Sequence, residues 1–442
     1  MKIVCISDLH LSKSVYGVMD REFTNIPFRS ADFMRSFKWM IDKCISEIKP
    51  DLVVIGGDVY DYYDVSNSIR GFFSNQLSRL AENKIPCIII VGNHDICQRH
   101  HALNDIQELK LKSIKVIDQF DIIEFKGHRL CLFPYSLDIE QKKVTLEKSM
   151  SNFTEYLNDY RKDKDDRPTI FFGHFGIYGA ILNDYEKNDG PAGAKNDNGA
   201  YDDLENIDED DDGIEITKTT TTRLDYYNSR KDDVHVSVLD ALGVDYILMG
   251  DFHKHQRLKT KTIGFYCGSI ERTGFNEKNQ PKGFIVYDSD APMDEKYGKC
   301  QFIEYPNCRP MIDIRGNFES IKQQFSTYDC SKYQGAIVRL VCTGTSNDLI
   351  NFSAGIEEFK KEISKKIDPI HMFTVPKPAK DKIQKQAATT LEKEIMERGH
   401  FTDKDVLDVL SEMVGERVKN KEEQAEVMKI ANQIYNEVKE KQ

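Results

Sequence analysis

The chain has 442 residues, of which 40% are apolar, 30% charged and 10% aromatic, a balance that fits a soluble globular protein and excludes a disordered one. At roughly 100 to 200 residues per domain, this length predicts two or three domains. The formal net charge of −12 argues against a general nucleic-acid binder, because neutralising phosphates takes clustered Lys and Arg, so any DNA contact is confined to a local basic patch.

No apolar run approaches the ~18 residues that a membrane span needs. The opening Met1-Lys2-Ile3-Val4-Cys5 enters an apolar stretch with no small-residue cleavage site, so no signal peptide and a cytoplasmic location are expected. The ten cysteines run from Cys5 to Cys342 without a CxxC pair, and Cys5, Cys87 and Cys131 sit in apolar runs, which predicts reduced core thiols rather than disulfides or zinc ligands.

Residues 1–290 repeat a short β-rich apolar run, a polar loop and a helical pattern, the signature of an α/β sheet domain. The runs are 2–7, 52–56, 87–91, 122–125, 129–133, 169–172, 246–249 and 284–287. Residues 183–233, with the acidic stretch 208–212 and a threonine run 219–222, read as an inserted surface loop. The acidic stretch lacks the spaced ligands and terminal Glu of an EF-hand loop. A second, small α+β unit is predicted over 291–376, with strands at 311–315, 336–342 and 370–375 and helices at 318–325 and 349–366. After the stiff linker Pro376-Lys377-Pro378, residues 384–442 are charged and helical, with apolar stripes such as Val406, Leu410, Met413 and Val427, Ile430, Ile434. Those stripes pack on each other, on the preceding domain or on another chain.

Five short motifs follow the apolar runs in order: Asp8-Leu9-His10, Gly56-Gly57-Asp58-Val59-Tyr60-Asp61, Gly92-Asn93-His94-Asp95, Gly173-His174 and Gly250-Asp251-Phe252-His253. Polar residues at the C-terminal ends of strands are where layered α/β folds build sites. Two divalent ions about 3.5 to 4 Å apart need hard and borderline ligands and a carboxylate that touches both. Asp58 is the natural bridge; Asp8 and His10, two apart on an extended segment, project to the same side; Asn93 offers an amide oxygen.

This order resembles the calcineurin-like metallophosphoesterases, whose pattern is D-x-H, G-D-x-x-D/H, G-N-H-D/E, G-H and G-H-x-H. The resemblance implies a four-layer α-β-β-α sandwich holding two divalent metal ions. It places one ion on Asp8, His10, Asp58 and His253, and the other on Asp58, Asn93, His174 and a fourth ligand. It makes His94 the catalytic group that protonates the leaving oxygen or hydrogen-bonds the phosphoryl group, with an ion-activated water as the in-line nucleophile. Asp61, counted with His94 in the catalytic set, and Asp95 are the carboxylates expected to orient the His ligands. One residue departs from the pattern: Asp251 stands where the family has His. As the fourth ligand of the second ion it makes the site harder and favours Mn²⁺ or Mg²⁺; His255 offers a rival register.

More narrowly, Gly268-Ser269-Ile270-Glu271-Arg272-Thr273-Gly274-Phe275-Asn276-Glu277 and Lys282-Gly283-Phe284 resemble the G-S-x-E-R-x-x-F-x-E segment and K-G-F strand of the SbcD family. That resemblance covers residues 1–290, more faintly the region of Arg309-Pro310-Met311, and not the insertion. It implies an Mn²⁺-dependent DNA exo- and endonuclease subunit acting in repair, recombination or replication. It further implies that 291–376 is a capping domain that positions DNA, that the chain forms a homodimer, and that 384–442 binds the coiled coil of an SbcC-like SMC-family ATPase. The chain itself has no Gly-x4-Gly-Lys-Ser/Thr phosphate loop, so ATP hydrolysis belongs to a partner. Arg99, Lys254, Arg257 and Arg272, close to the motifs, are the expected DNA-phosphate contacts. A phosphodiesterase or phosphatase for a non-DNA substrate, and a weakly active scaffold binding DNA and the ATPase, are the competing readings. The Asp251 variant and the divergent middle are similar to viral SbcD relatives, which would place the chain in a host cytoplasm.

Overall fold

The computed structural model describes residues 1–97, 100–108, 112–161, 167–178, 180 and 234–378. The insertion at 183–233, Arg99 and the helical region expected at 384–442 lie outside the described residues.

Alternation decides the layers. In strand β1 (Lys2–Ile6), Val4 and Ile6 face one core while Ile3 and Cys5 face another, the two-residue period of a strand buried on both sides. β1 pairs in parallel with β2 (Leu52–Ile55), β2 with β3 (Cys87–Ile90), and β3 with β4 (Ile114–Ile117). A second six-stranded sheet contains β5 (Asp121–Phe125), β6 (His128–Phe133), β7 (Thr169–His174), β8 (Tyr246–Gly250), β9 (Gln256–Arg257) and β10 (Ile263–Tyr266), in the order β9-β10-β8-β7-β6-β5. Leu130, Leu132, Ile170, Phe172 and Leu248 of this sheet share one buried cluster with Ile3, Cys5, Val54 and Ile90 of the first, so the two sheets pack face to face.

Helices cover the outer faces. Helix α1 (Phe28–Lys43) and helix α2 (Asn67–Glu82) place Phe33, Phe37, Met40, Phe73 and Leu77 on the outer face of the first sheet. Each such side chain contributes about 1.5 to 3 kcal/mol by leaving water. α1 runs into one wider turn, Cys44–Ile48, and stops where Lys49 turns left-handed (φ 49°) ahead of Pro50. Helix α3 (Leu146–Tyr160) covers the second sheet through Met150, Phe153 and Leu157. Helix, sheet, sheet, helix is the four-layer sandwich expected from the motifs.

Among the longer strands, three were not anticipated: β4, β10 and β12 (Cys300–Glu304), which pairs antiparallel with β11 (Gly283–Asp288) and extends the first sheet to the order β12-β11-β1-β2-β3-β4. This hairpin carries the first sheet past the expected domain boundary at 290. The later strands β13 (Met311–Gly316), β14 (Ile337–Gly344) and β15 (His371–Pro378) form a separate three-stranded sheet, and helices α4 (Phe318–Ser326) and α5 (Ser346–Ile367) lie between them in sequence, the β-α-β-α-β order expected there.

The described residues divide into two compact units: 1–314, 323–340 and 356–374 belong to the first, and 315–322, 341–355 and 375–378 to the second. Within the second, the Asp348 carboxylate accepts Thr345 N–H (2.8 Å) and Oγ1–H (2.7 Å), tying down the entry to α5. Gly355 lets that helix approach Phe318, whose Cε1 would stand 2.4 Å from an added Cβ.

A buried charge network ties α1 of the first unit to later segments. Arg29, fully buried, donates to Asp32 (2.6 Å) and to the Arg272 carbonyl, and Arg309 grips the same Asp32 through two guanidinium nitrogens. Glu271 accepts the backbone N–H groups of Arg272 (2.8 Å) and Arg309 (3.1 Å). Removing one member of such a group strands a buried charge, so Asp32→Ala is expected to lower unfolding free energy by about 3 to 5 kcal/mol. Urea titration of the two proteins measures the difference; a loss under about 1 kcal/mol would show the arginines find other partners.

Candidate metal centre

The five motifs meet where strands of both sheets end. β1, β2 and β3 deliver Asp8 and His10, Asp58, and Asn93; β7 and β8 deliver His174, and Asp251 and His253. Two backbone bonds and one to a side chain lock the first three loops together: Asp8 N–H donates to the Gly57 carbonyl (3.1 Å), His10 N–H to the Asp58 carbonyl (3.0 Å) and His94 N–H to the Asp58 carboxylate Oδ1 (3.0 Å). Asp8 (φ 53°), His10 (39°), Asp58 (50°) and Asp251 (94°) all hold positive φ. For L-residues that conformation costs about 1 to 2 kcal/mol each, and concentration of strain in a ligand cluster marks a functional site.

Two glycines make the close approach feasible. A Cβ on Gly57 would sit 2.2 Å from His174 Nδ1, and one on Gly92 2.2 Å from Asp58 Oδ1 and 2.3 Å from Asp58 N. Gly92→Ala is therefore expected to displace Asp58 and cut bound divalent metal at least tenfold in affinity, read by manganese titration of the purified protein. Unchanged affinity would show that the Asp58 loop can move aside without loss.

The histidines are aimed by what their far nitrogens touch. His174 Nδ1–H donates to the Gly56 carbonyl (2.7 Å), which leaves Nε2 facing Asn93 Oδ1 (3.1 Å) and Asp58 Oδ1 (3.2 Å). His10 Nδ1 lies 3.1 Å from Asp61 Oδ1, and its Nε2 stands 3.0 Å from His253 Nε2 and 3.8 Å from Asp58 Oδ2. Ligand atoms of Asp8, His10 and His253 fall within 4.8 Å of one another, as do those of Asp8, Asp58 and His174. Asp8 Oδ2 is buried with no hydrogen-bond partner, an uncompensated anionic oxygen that a cation would satisfy. The donors present therefore fit two adjacent divalent ions.

Electrostatics agree. Burial opposes ionisation of Asp58, yet His174, His94 and His10 hold its carboxyl well below the usual range. His174 is pushed up to about 10: burial works against its protonation, and the carboxylates of Asp58, Asp8 and Asp251 outweigh it. A neutral-pH imidazole raised that far reports a local field built for positive charge.

Asp61 is 3% exposed, accepts from Lys13 Nζ (3.1 Å), and its backbone carbonyl accepts from His94 Nδ1 (3.0 Å). His94 is exposed, and its ligand atoms lie within 4.8 Å of those of His10 and Asp61. Desolvation opposes its protonation, but Asp58 and Asp61 raise its pKa above the ordinary value. Asp95, expected to orient a histidine, turns instead to backbone amides, accepting from Gly92 (3.0 Å), Tyr60 (3.0 Å) and Val59 (3.3 Å). Burial and the neighbouring Asp58 push its carboxyl up to about 7.

Asp251 is 4% exposed and donates its N–H to Asp8 Oδ1 (3.0 Å), which sets it in the cluster. His255 points away: Nδ1–H donates to the Tyr266 carbonyl (2.9 Å), Nε2 faces the Tyr297 hydroxyl (3.3 Å), and the ring stacks on Phe302 at 3.9 Å. Burial lowers its pKa to about 4. Of the basic residues near the motifs, Arg257 donates to the Lys296 carbonyl (2.9 Å) and Arg272 to the Arg309 carbonyl (3.1 Å), while Lys254 is partly buried beside His253 in sequence.

Sequence reasoning gave no role to Glu277, Thr273 or Lys282. His253 Nδ1 stands 2.9 Å from Glu277 Oε1 and 3.2 Å from Thr273 Oγ1, and Lys282 Nζ lies 2.7 Å from Glu277 Oε2. All three were visible within the segment 268–284, but nothing in its spacing says which residue folds back onto a strand-end histidine.

Residues 1–255 match the family model described as calcineurin-like phosphoesterase. The chain belongs to this family and is a metal-dependent phosphoester hydrolase; the family uses a dinuclear metal centre, and the side chains gathered here are candidate ligands for one. Among named relatives, it is 25% identical over 339 residues to the SbcD component of the SbcCD nuclease of Staphylococcus epidermidis, covering 73% of this chain and 75% of that protein. It is 29% identical over 186 residues to DNA double-strand break repair protein Mre11 of Methanocaldococcus jannaschii, covering 42% of this chain and 46% of that one. The Sulfurisphaera tokodaii protein of the same name is 32% identical over 124 residues, 28% of each chain.

Proposed function

We propose that this chain is the nuclease subunit of an SbcC/SbcD-like complex, hydrolysing phosphodiester bonds in DNA during repair, recombination or replication. The observation that carries this reading is the 339-residue match to the staphylococcal SbcD protein, longer than the span 1–255 shared with the phosphoesterase family at large.

When bound, two divalent ions supply Lewis-acid stabilisation of the phosphoryl group and lower the pKa of the attacking water. The chain's own residues do the rest. Asp8, His10, Asp58 and His253 would hold one ion, and Asp58, Asn93, His174 and Asp251 the other. His94, held through Nδ1 by the Asp61 carbonyl, directs Nε2 at the departing oxygen and gives it a proton. Asp61 orients His10. The ligand set, with Asp251 adding a carboxylate where the family pattern has imidazole, favours Mn²⁺ over softer ions, with Mg²⁺ second.

On the same reading the small α+β region caps the site and positions DNA, residues 384–442 engage an SbcC-like ATPase, and the chain works as a homodimer. Lys254, Arg257, Arg272 and Arg99 remain the proposed backbone-phosphate contacts. Among the described residues no helix is long and apolar enough to cross a membrane.

The test is Mn²⁺-dependent cleavage of linear duplex and single-stranded DNA, with and without an SbcC-like partner, alongside a nitrophenyl phosphodiester. DNA cleavage supports the reading. Turnover of the small diester with intact DNA under every condition would move the substrate away from nucleic acid.

A further inference from the structure

We propose that Glu277 and Lys282 act as a positioning pair for His253, fixing its tautomer and its strength as a metal ligand. The inference rests on His253 holding an ion, and not on the identity of the phosphoester.

His253 Nδ1 is 2.9 Å from Glu277 Oε1. A carboxylate accepts and cannot donate, so Nδ1 carries the proton and the lone pair lies on Nε2. That Nε2 is the atom standing 3.0 Å from His10 Nε2, inside the group formed with Asp8. Hydrogen bonding to a carboxylate also increases the basicity of a ligating imidazole.

Glu277 has no valence left for an ion. Oε1 accepts from His253, and from Thr273 Oγ1 at 2.5 Å; Oε2 accepts from Thr273 N–H at 2.9 Å and from Lys282 Nζ at 2.7 Å. Its side chain is 3% exposed and that of Lys282 0% exposed. Burying a lone carboxylate is prohibitive, so the lysine is what allows the glutamate to be there. Lys282 also donates to the His253 carbonyl (2.9 Å), to Ser269 Oγ (2.9 Å) and to Gln280 Oε1 (3.2 Å). One ion pair thus clamps His253 at its ring and at its backbone.

The segment between them is anchored independently. Phe275, 7% exposed, packs edge-on against Phe373 (5.7 Å) and under the Arg339 guanidinium (4.3 Å), so the short helical turn Phe275–Glu277 has anchors other than the histidine. A mere structural staple would need neither the carboxylate on Nδ1 nor the second contact on the His253 carbonyl.

The decisive variant in the full-length protein is Glu277→Gln combined with Lys282→Met, which removes both charges and strands neither. Manganese affinity is read by EPR titration and folding by thermal melting without metal. The expected result is a 10- to 100-fold loss of affinity at the ion assigned to Asp8, His10, Asp58 and His253, with melting within a few degrees of the parent. Parental affinity in a folded double variant would overturn the proposal. Should the variant not fold, the ¹⁵N resonances of His253 in the metal-free parent decide: an Nδ1–H tautomer supports it, an Nε2–H tautomer overturns it. His253→Ala serves as the reference; unchanged manganese binding there would remove the ligand itself, and the proposal with it.

Discussion

Asp58→Asn is expected to reduce bound manganese from about two ions per chain to about one or fewer and to abolish hydrolysis. Asp58 lies between the two ligand groups, with Oδ1 3.2 Å from His174 Nε2 and Oδ2 3.8 Å from His10 Nε2. Its carboxyl is held ionised despite full burial, by His174, His94 and His10. An amide keeps the shape but offers one neutral oxygen, which cannot neutralise charge on two ions at once. Metal analysis after dialysis against excess Mn²⁺ measures the stoichiometry. Two ions retained by the variant would place the bridge elsewhere, on Asp8.

His94→Ala is expected to leave metal content unchanged and to reduce turnover by about 10² to 10⁴ on a substrate with a poor leaving group. His94 is exposed, donates through Nδ1 to the Asp61 carbonyl and sits beside His10 at a ring-centroid distance of 5.1 Å; on the proposed reading it serves the leaving oxygen and not an ion. A proton donor matters least when the leaving oxygen is already stable as an anion. The loss should therefore be severe for a nucleotide alkoxide and under about tenfold for nitrophenolate. Equal losses on both substrates would assign His94 to stabilising the phosphoryl group instead of protonating the leaving group.

Much of the architecture was legible because it rests on short-range periodicity. The runs at 2–7, 52–56, 87–91, 169–172 and 246–249 became β1, β2, β3, β7 and β8, with the motif side chains just beyond each end or, for His174, at the last residue of the strand. β4 and β12 escaped notice: in β4 (Ile114–Ile117) Lys115 is exposed, and in β12 Gln301 and Glu304 face water, so neither reads as an apolar run. Both are edge strands of the first sheet, where exposed polar residues are tolerated.

The candidate site divides along the same line. Residue types and their order along the chain determined by themselves that aspartate, asparagine and histidine would gather at strand ends, because a strand's exit is set by its own few residues. Only the tertiary structure decided where each side chain points. His255 follows His253 by two residues yet stacks on Phe302, while Glu277, far along the chain, reaches the His253 ring. Asp95 sits inside a motif but accepts backbone amides from two loops. Such choices belong to packing and burial summed over distant segments: an imidazole turns toward whichever buried partner satisfies its nitrogens, and that partner is set by the fold and not by spacing.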